Sequence, residues 1–143
     1  MIKKTISAIS TMILLMFVTN TFAAEDNRQF VKLPEMMQHH MLASMRDHLQ
    51  TLNDILKYLS NGELDKAAST AEHRLGMSSL GSHDAAHMAK FMPKGMQDAG
   101  TSMHKAASQF ALKAEEGEVL PAYKMLTTIT SSCVACHAGY RIR

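Results

Sequence analysis

The sequence predicts an all-α protein, an antiparallel up-down-up-down bundle of four helices. Three observations carry that reading. Apolar residues recur at steps of three and four over long stretches, the helical period. No segment sustains the period-two alternation of a half-exposed strand, so no sheet is expected. Asn61-Gly62, Gly76, Pro93 and Gly117 punctuate the chain into amphipathic stretches joined by mostly short links, which favours antiparallel neighbours.

The chain has 143 residues, enough for one domain. Residues 1–23 read as a secretory leader outside it. Lys3 and Lys4 give a positive start, an apolar run from Ile6 to Val18 is broken only by Ser7, Ser10 and Thr11, and Thr21-Phe22-Ala23 places small residues where signal peptidase reads. A membrane anchor is the rival reading. The run is shorter than the ~20 residues a span needs and no stop-transfer pattern follows. Cleavage after Ala23 leaves a domain over residues 24–143, exported to the periplasm, with no stable membrane insertion expected. Losing Lys3 and Lys4 leaves 13 basic residues against 13 acidic ones. That balance gives no basic field for nucleic acid.

The first helix is expected from Pro34, which suits an opening turn, with Glu35 at its positive end. Its stripe is Met37, Met41, Met45, Leu49, Leu52, Ile55, Leu56 and Leu59. The second runs from Glu63 to Gly76 with Leu64, Ala68, Ala71 and Leu75 on one face. Residues 77–92 form a link in which His83 to Phe91 has room for a short turn of helix. The third helix, near 94–116, carries Met96, Gly100, Met103, Ala107, Phe110 and Ala114. The fourth, near 121–138, carries Tyr123, Leu126, Thr130, Cys133 and His137, with Tyr140 continuing the stripe.

The two cysteines stand in Cys133-Val134-Ala135-Cys136-His137. In an oxidising compartment the plain expectation is a disulfide, but this spacing closes too small a loop to restrain the unfolded chain. A thioredoxin-type pair belongs at a helix start within a βαβ unit, and a zinc site wants a second pair. Cys-x-x-Cys-His is the attachment spacing for a c-type haem. On a helix, positions 133, 136 and 137 share a face, so one surface offers two thiols to the vinyl groups and an imidazole to the iron. Haem c, attached through Cys133 and Cys136 with His137 as axial ligand, is the expected cofactor.

In an up-down-up-down bundle, the start of helix one, the link between helices two and three, and the end of helix four lie together. That end collects Met36, Met37, His39, His40, Met41 and Met45 with His73, Met77, His83, His87, Met88, Met92 and Met96. Methionine usually fills cores, and a soft lining also packs around a flat macrocycle.

The run Cys-Val-Ala-Cys-His-Ala-Gly-Tyr-Arg at residues 133–141 resembles the cytochrome c prime family. The resemblance spans residues 34–143. It implies a four-helix bundle with haem held by the last helix and a distal residue on helix one. High-spin members leave the iron five-coordinate, whereas low-spin relatives supply a methionine. On that resemblance Met45 is the distal ligand, with Met41 one turn earlier as reserve and His40 and His48 as further candidates. Arg46 and Arg141 are the candidate propionate partners. The implied function is one-electron transfer between periplasmic redox proteins, and homodimers are common in the family; catalysis is not expected, because no nucleophile is paired with a base by a recognised motif. One alternative is a five-coordinate protein binding nitric oxide or carbon monoxide. Another is an added copper role in the His/Met-rich segment 73–104, where His83 and His87, and Met88, Met92 and Met96, are spaced by four.

Overall fold

The structure, a computed structural model, describes residues 25–143. The expected leader lies outside the described residues. The described chain is predominantly helical. Helix α1 spans Glu35–Ser60, α2 Leu64–Arg74, the short α3 Ala85–Ala89, α4 Lys94–Glu115 and α5 Val119–Gly139, with a 3₁₀ turn at Met77–Leu80. Pro34 and Pro93 immediately precede α1 and α4. Gly62 and Gly117 close α1 and α4 with φ of +72° and +74°, the left-handed conformation glycine adopts without a Cβ penalty. Helix α5 begins two residues before Pro121, which sits in its first turn, where no backbone donor is missed.

One expectation fails. A two-stranded parallel pair joins β1, Gln29–Phe30, to β2, Tyr140–Arg141. Two residues are too short to display a period, so no alternation announces it. The pair straps the segment ahead of α1 onto the end of α5. Val31 continues the strap by donating its N–H to the Arg141 carbonyl, and Gln38 donates to the Ile142 carbonyl.

Helix α4 packs along α5 and along α2, and α2 packs on α1. Their meeting surface is the main core. Ile55 comes from α1, Ala67, Ala68 and Ala71 from α2, Ala107, Phe110 and Ala114 from α4, and Ala122 and Ile129 from α5. Alanine at so many seams lets helix axes approach closely, and Phe110 fills the space between them. A second, smaller core joins Val31 and Leu33 from the strap to Met88 and Met96.

The stripe of α1 divides. His48, Thr51 and Ile55 form its buried edge, whereas Leu49 is 70 % exposed and Leu56 50 %. The apolar arc is wider than the face that α2 covers. Its uncovered side, with Leu49, Leu52 and Leu56, faces Tyr123, Leu126 and Thr130 of α5 across an open groove of about 860 Å³. Among the described residues no helix is long and apolar enough to cross a membrane.

Candidate cofactor cavity

At one end the groove deepens into an apolar cavity of about 310 Å³, and Leu49 and Leu52 line both. Three walls build it. Helix α1 contributes His40, Met41, Met45 and His48. The link and α4 contribute His83, Met88, Met92, Met96, Met103 and His104. Helix α5 contributes Cys133, Cys136 and His137.

The last turns of α5 put the cysteines in different surroundings. Both are free and half-buried. Cys133 packs against the main core, and Cys136 against the smaller core beside Tyr140 and Ile142. The thiols therefore mark the boundary between the two cores. Burial raises the pKa of both above the ordinary thiol value, and for Cys136 the neighbouring Cys133 adds to the effect. They are held as neutral thiols. His137, one residue on, is exposed at the rim, and its backbone carbonyl accepts a hydrogen bond from Arg28 of the strap.

The residues singled out in the sequence thus separate into those the fold gathers and those it does not. Met41, Met45, Cys133, Cys136 and His137 line one cavity. Met88 and Met96 are buried on the same walls, so the methionine spacing in the link does gather side chains. His87 packs against Phe91 with ring centroids 5.8 Å apart and is not among the lining residues. Met36 is exposed, and His73 turns back to donate to the Ser69 carbonyl. Arg46 lines the groove. Arg141 is committed elsewhere: its guanidinium lies 5.1 Å from the Phe30 ring and pairs with Asp26 at 3.5 Å.

Sequence reasoning missed the most concentrated polar feature of the cavity. His48, His83 and His104 converge there from α1, the link and α4, with ring centroids 4.7, 5.9 and 5.6 Å apart. His48 and His104 are each 7 % exposed. Nε2 of His48 is buried without a hydrogen-bond partner. Burial, reinforced by the charge that His83 and His104 take up on protonation, pushes the His48 pKa down to about 4. Burial also lowers those of His83 and His104. The signal was available in part: His48 follows Met45 by three residues and His104 directly follows Met103, both on apolar stripes, where a histidine is out of place unless it has a partner.

Compared with known proteins, the chain matches no family model, no curated protein and no solved structure.

Proposed function

We propose that this chain is an exported four-helix-bundle cytochrome, related to the cytochrome c prime family, that carries one covalently attached haem c and passes single electrons between periplasmic partner proteins. The observation that carries the reading is a donor set on one wall of an apolar cavity: two free thiols and an imidazole within five residues of α5. Thioether attachment needs unpaired thiols. A macrocycle needs an apolar recess, and the cavity runs into a groove along α1 and α5 with room for one. The leucines of α1 left bare along that groove acquire a reason if a flat apolar group lies against them.

When bound, haem c supplies an iron centre that alternates between ferric and ferrous states. The protein's part is to hold and insulate it. Cys133 and Cys136 would attach it, and His137 together with Met45, or Met41 in reserve, would be the side chains offered to its iron. A thioether ligand favours the ferrous state and raises the potential. The methionine-rich walls would give it an apolar surround. Arg46, on the groove wall, is the arginine positioned to meet a carboxylate there.

The test is the intact mass and reduced absorption spectrum of protein made in a host that matures cytochromes, with and without carbon monoxide. The expected result is one haem per chain and a low-spin reduced spectrum that carbon monoxide alters slowly or not at all. A bare-polypeptide mass with no Soret band overturns the proposal. A five-coordinate ferrous spectrum with rapid carbon monoxide uptake rejects Met45 as ligand and makes gas binding the function.

A further inference from the structure

We infer that His48, His83 and His104 form a second metal site, a three-imidazole centre for a late first-row transition ion, with copper the ion its surroundings favour. None of its ligands comes from α5, although the three rings line the same cavity as the cysteine motif.

The rings are spaced for an ion. Ring nitrogens at about 2.0–2.1 Å from a metal in tetrahedral directions hold ring centroids roughly 5 Å apart. The observed separations of 4.7, 5.6 and 5.9 Å lie close to that distance. Among the described residues no three metal-binding side chains are already closed around a point, so one ring must turn inward. His48 and His104 are fixed on long helices. His83 lies in the turn ahead of α3, outside the long helices, with its ring held by one 3.4 Å contact to the Ser79 hydroxyl, and is the ring that would turn.

The hydrogen bonds leave the right nitrogens free. A metal-binding histidine normally donates from its other nitrogen to a carbonyl or similar acceptor. His104 Nδ1 donates to the Leu75 carbonyl at 2.7 Å, since a carbonyl can only accept, which leaves Nε2 with its lone pair. The Ser79 hydroxyl spends its proton on the Gly76 carbonyl, so its contact with His83 Nδ1 at 3.4 Å makes that nitrogen the donor. His83 Nε2 is then bare as well. His48 Nε2 is buried with no partner at all. An unpartnered buried nitrogen costs about 1–3 kcal/mol in an ordinary core, and metal binding removes the deficit. The backbone next to the site is held too, because His40 Nε2 donates to the His83 carbonyl at 2.9 Å.

Ligand softness selects the ion. Imidazole suits zinc, copper, iron and nickel, and thioethers favour copper among them. Met88 and Met103, both buried, line the same cavity and supply that soft wall. This places the copper chemistry of the link on His83 with two histidines from outside it or at its edge, not on a His83–His87 pair.

The experiment uses the full-length haem-loaded protein, stripped with chelator. It is titrated anaerobically with Cu⁺ against a chromophoric competitor, and separately with Cu²⁺ followed by electron paramagnetic resonance. One equivalent of copper is expected, with nitrogen hyperfine structure from three imidazoles. His83→Gln and His104→Gln should each weaken binding by at least about 100-fold, while His87→Gln leaves it unchanged. Circular dichroism checks that each variant is folded. Absence of stoichiometric uptake by protein with an intact Soret band overturns the site. So does uptake that survives both substitutions. A bis-imidazole haem spectrum lost in His48→Gln, without copper uptake, also overturns it by assigning His48 to the haem iron. Loss of the haem itself is read from mass and absorption, so the failure of either proposal is distinguishable from that of the other.

Discussion

Around Phe110 the helices meet through alanine, and around His48 they stand back from a cavity. Ala67, Ala71, Ala107, Ala114 and Ala122 bring α2, α4 and α5 together with Ile55 and Ile129 sealing the contact. Toward the cavity, along α1 and α4, the composition changes to methionine and histidine. The closed end is held by shape. The open end is lined by flexible thioethers and by three histidine rings, one of which buries a nitrogen without a partner. Residues that make the fold are thereby set apart from residues that the fold serves.

The largest expected difference between the two ends is in their response to truncation. Phe110 is fully buried at the centre of the alanine seams. Phe110→Ala should cost about 3–5 kcal/mol, because small neighbours on rigid helices cannot collapse into the space. Urea unfolding measures it. A loss below about 1 kcal/mol would show that the closed end is not the source of stability.

The open end should instead respond to acid. In metal-free protein, the folded-state pKa of His48 is pushed to about 4, by burial first and by His83 and His104 next, with nearby Asp47 opposing. An unfolded histidine titrates near 6.5. Between those values the unfolded chain binds a proton that the folded chain refuses. Stability is therefore fully present above about pH 6.5 and falls as the pH drops toward 4, by at most about 3 kcal/mol. Urea unfolding at pH 7 and pH 5 checks the sign, with hydrogen exchange locating the loosening in the link and the first half of α1. A His48→Leu protein should lose most of the dependence. A profile flat over that range in the parent protein would break the contrast between the ends.

How far the sequence exposed this division depends on which physical signal each part rests on. The long helices were legible because periodicity and punctuation agree: Pro34, Asn61-Gly62, Pro93 and Gly117 fall where elements start and stop. The thiols and His137 were legible because their spacing is local. The β1–β2 pair was not, since its two strands are two residues each and lie near opposite ends of the described chain. The histidine cluster was not, since it is assembled from three elements and only packing reveals that His48 and His104 are buried. The stripe on α1 misled in part. Its hydrophobicity marks Leu49 and Leu56 as apolar, but not that α5 stands back from them across an open groove and leaves them exposed.

A milder substitution sharpens the same contrast. Met96 is buried in the smaller core beside the cavity. Met96→Leu conserves volume and should cost less than about 1.5 kcal/mol by thermal or urea unfolding, since thioether-lined space adapts where alanine seams do not. A penalty as large as that of Phe110→Ala would mean that the cavity end is packed as tightly as the closed one.

The smallest effect expected is at the seam between the ends. Arg74, the last residue of α2, donates to Asp47 at 2.5 Å and to Asp54 at 2.9 Å, two carboxylates two turns apart on α1. One guanidinium thereby clamps α1 at the level where its buried edge passes from Ile55 to His48. All three side chains remain partly exposed, so water and salt screen the pairs, and the clamp is worth about 0.5–1 kcal/mol. Arg74→Met should remove that amount in dilute buffer and almost none in about 1 M salt, where the screening length is ~3 Å. Its second consequence distinguishes a clamp from a surface ornament. Asp47 adjoins His48, so freeing α1 there should speed hydrogen exchange around the cavity while leaving the Phe110 region protected. Equal exchange at both ends in the variant and the parent would mean that the two halves are coupled through their packing alone.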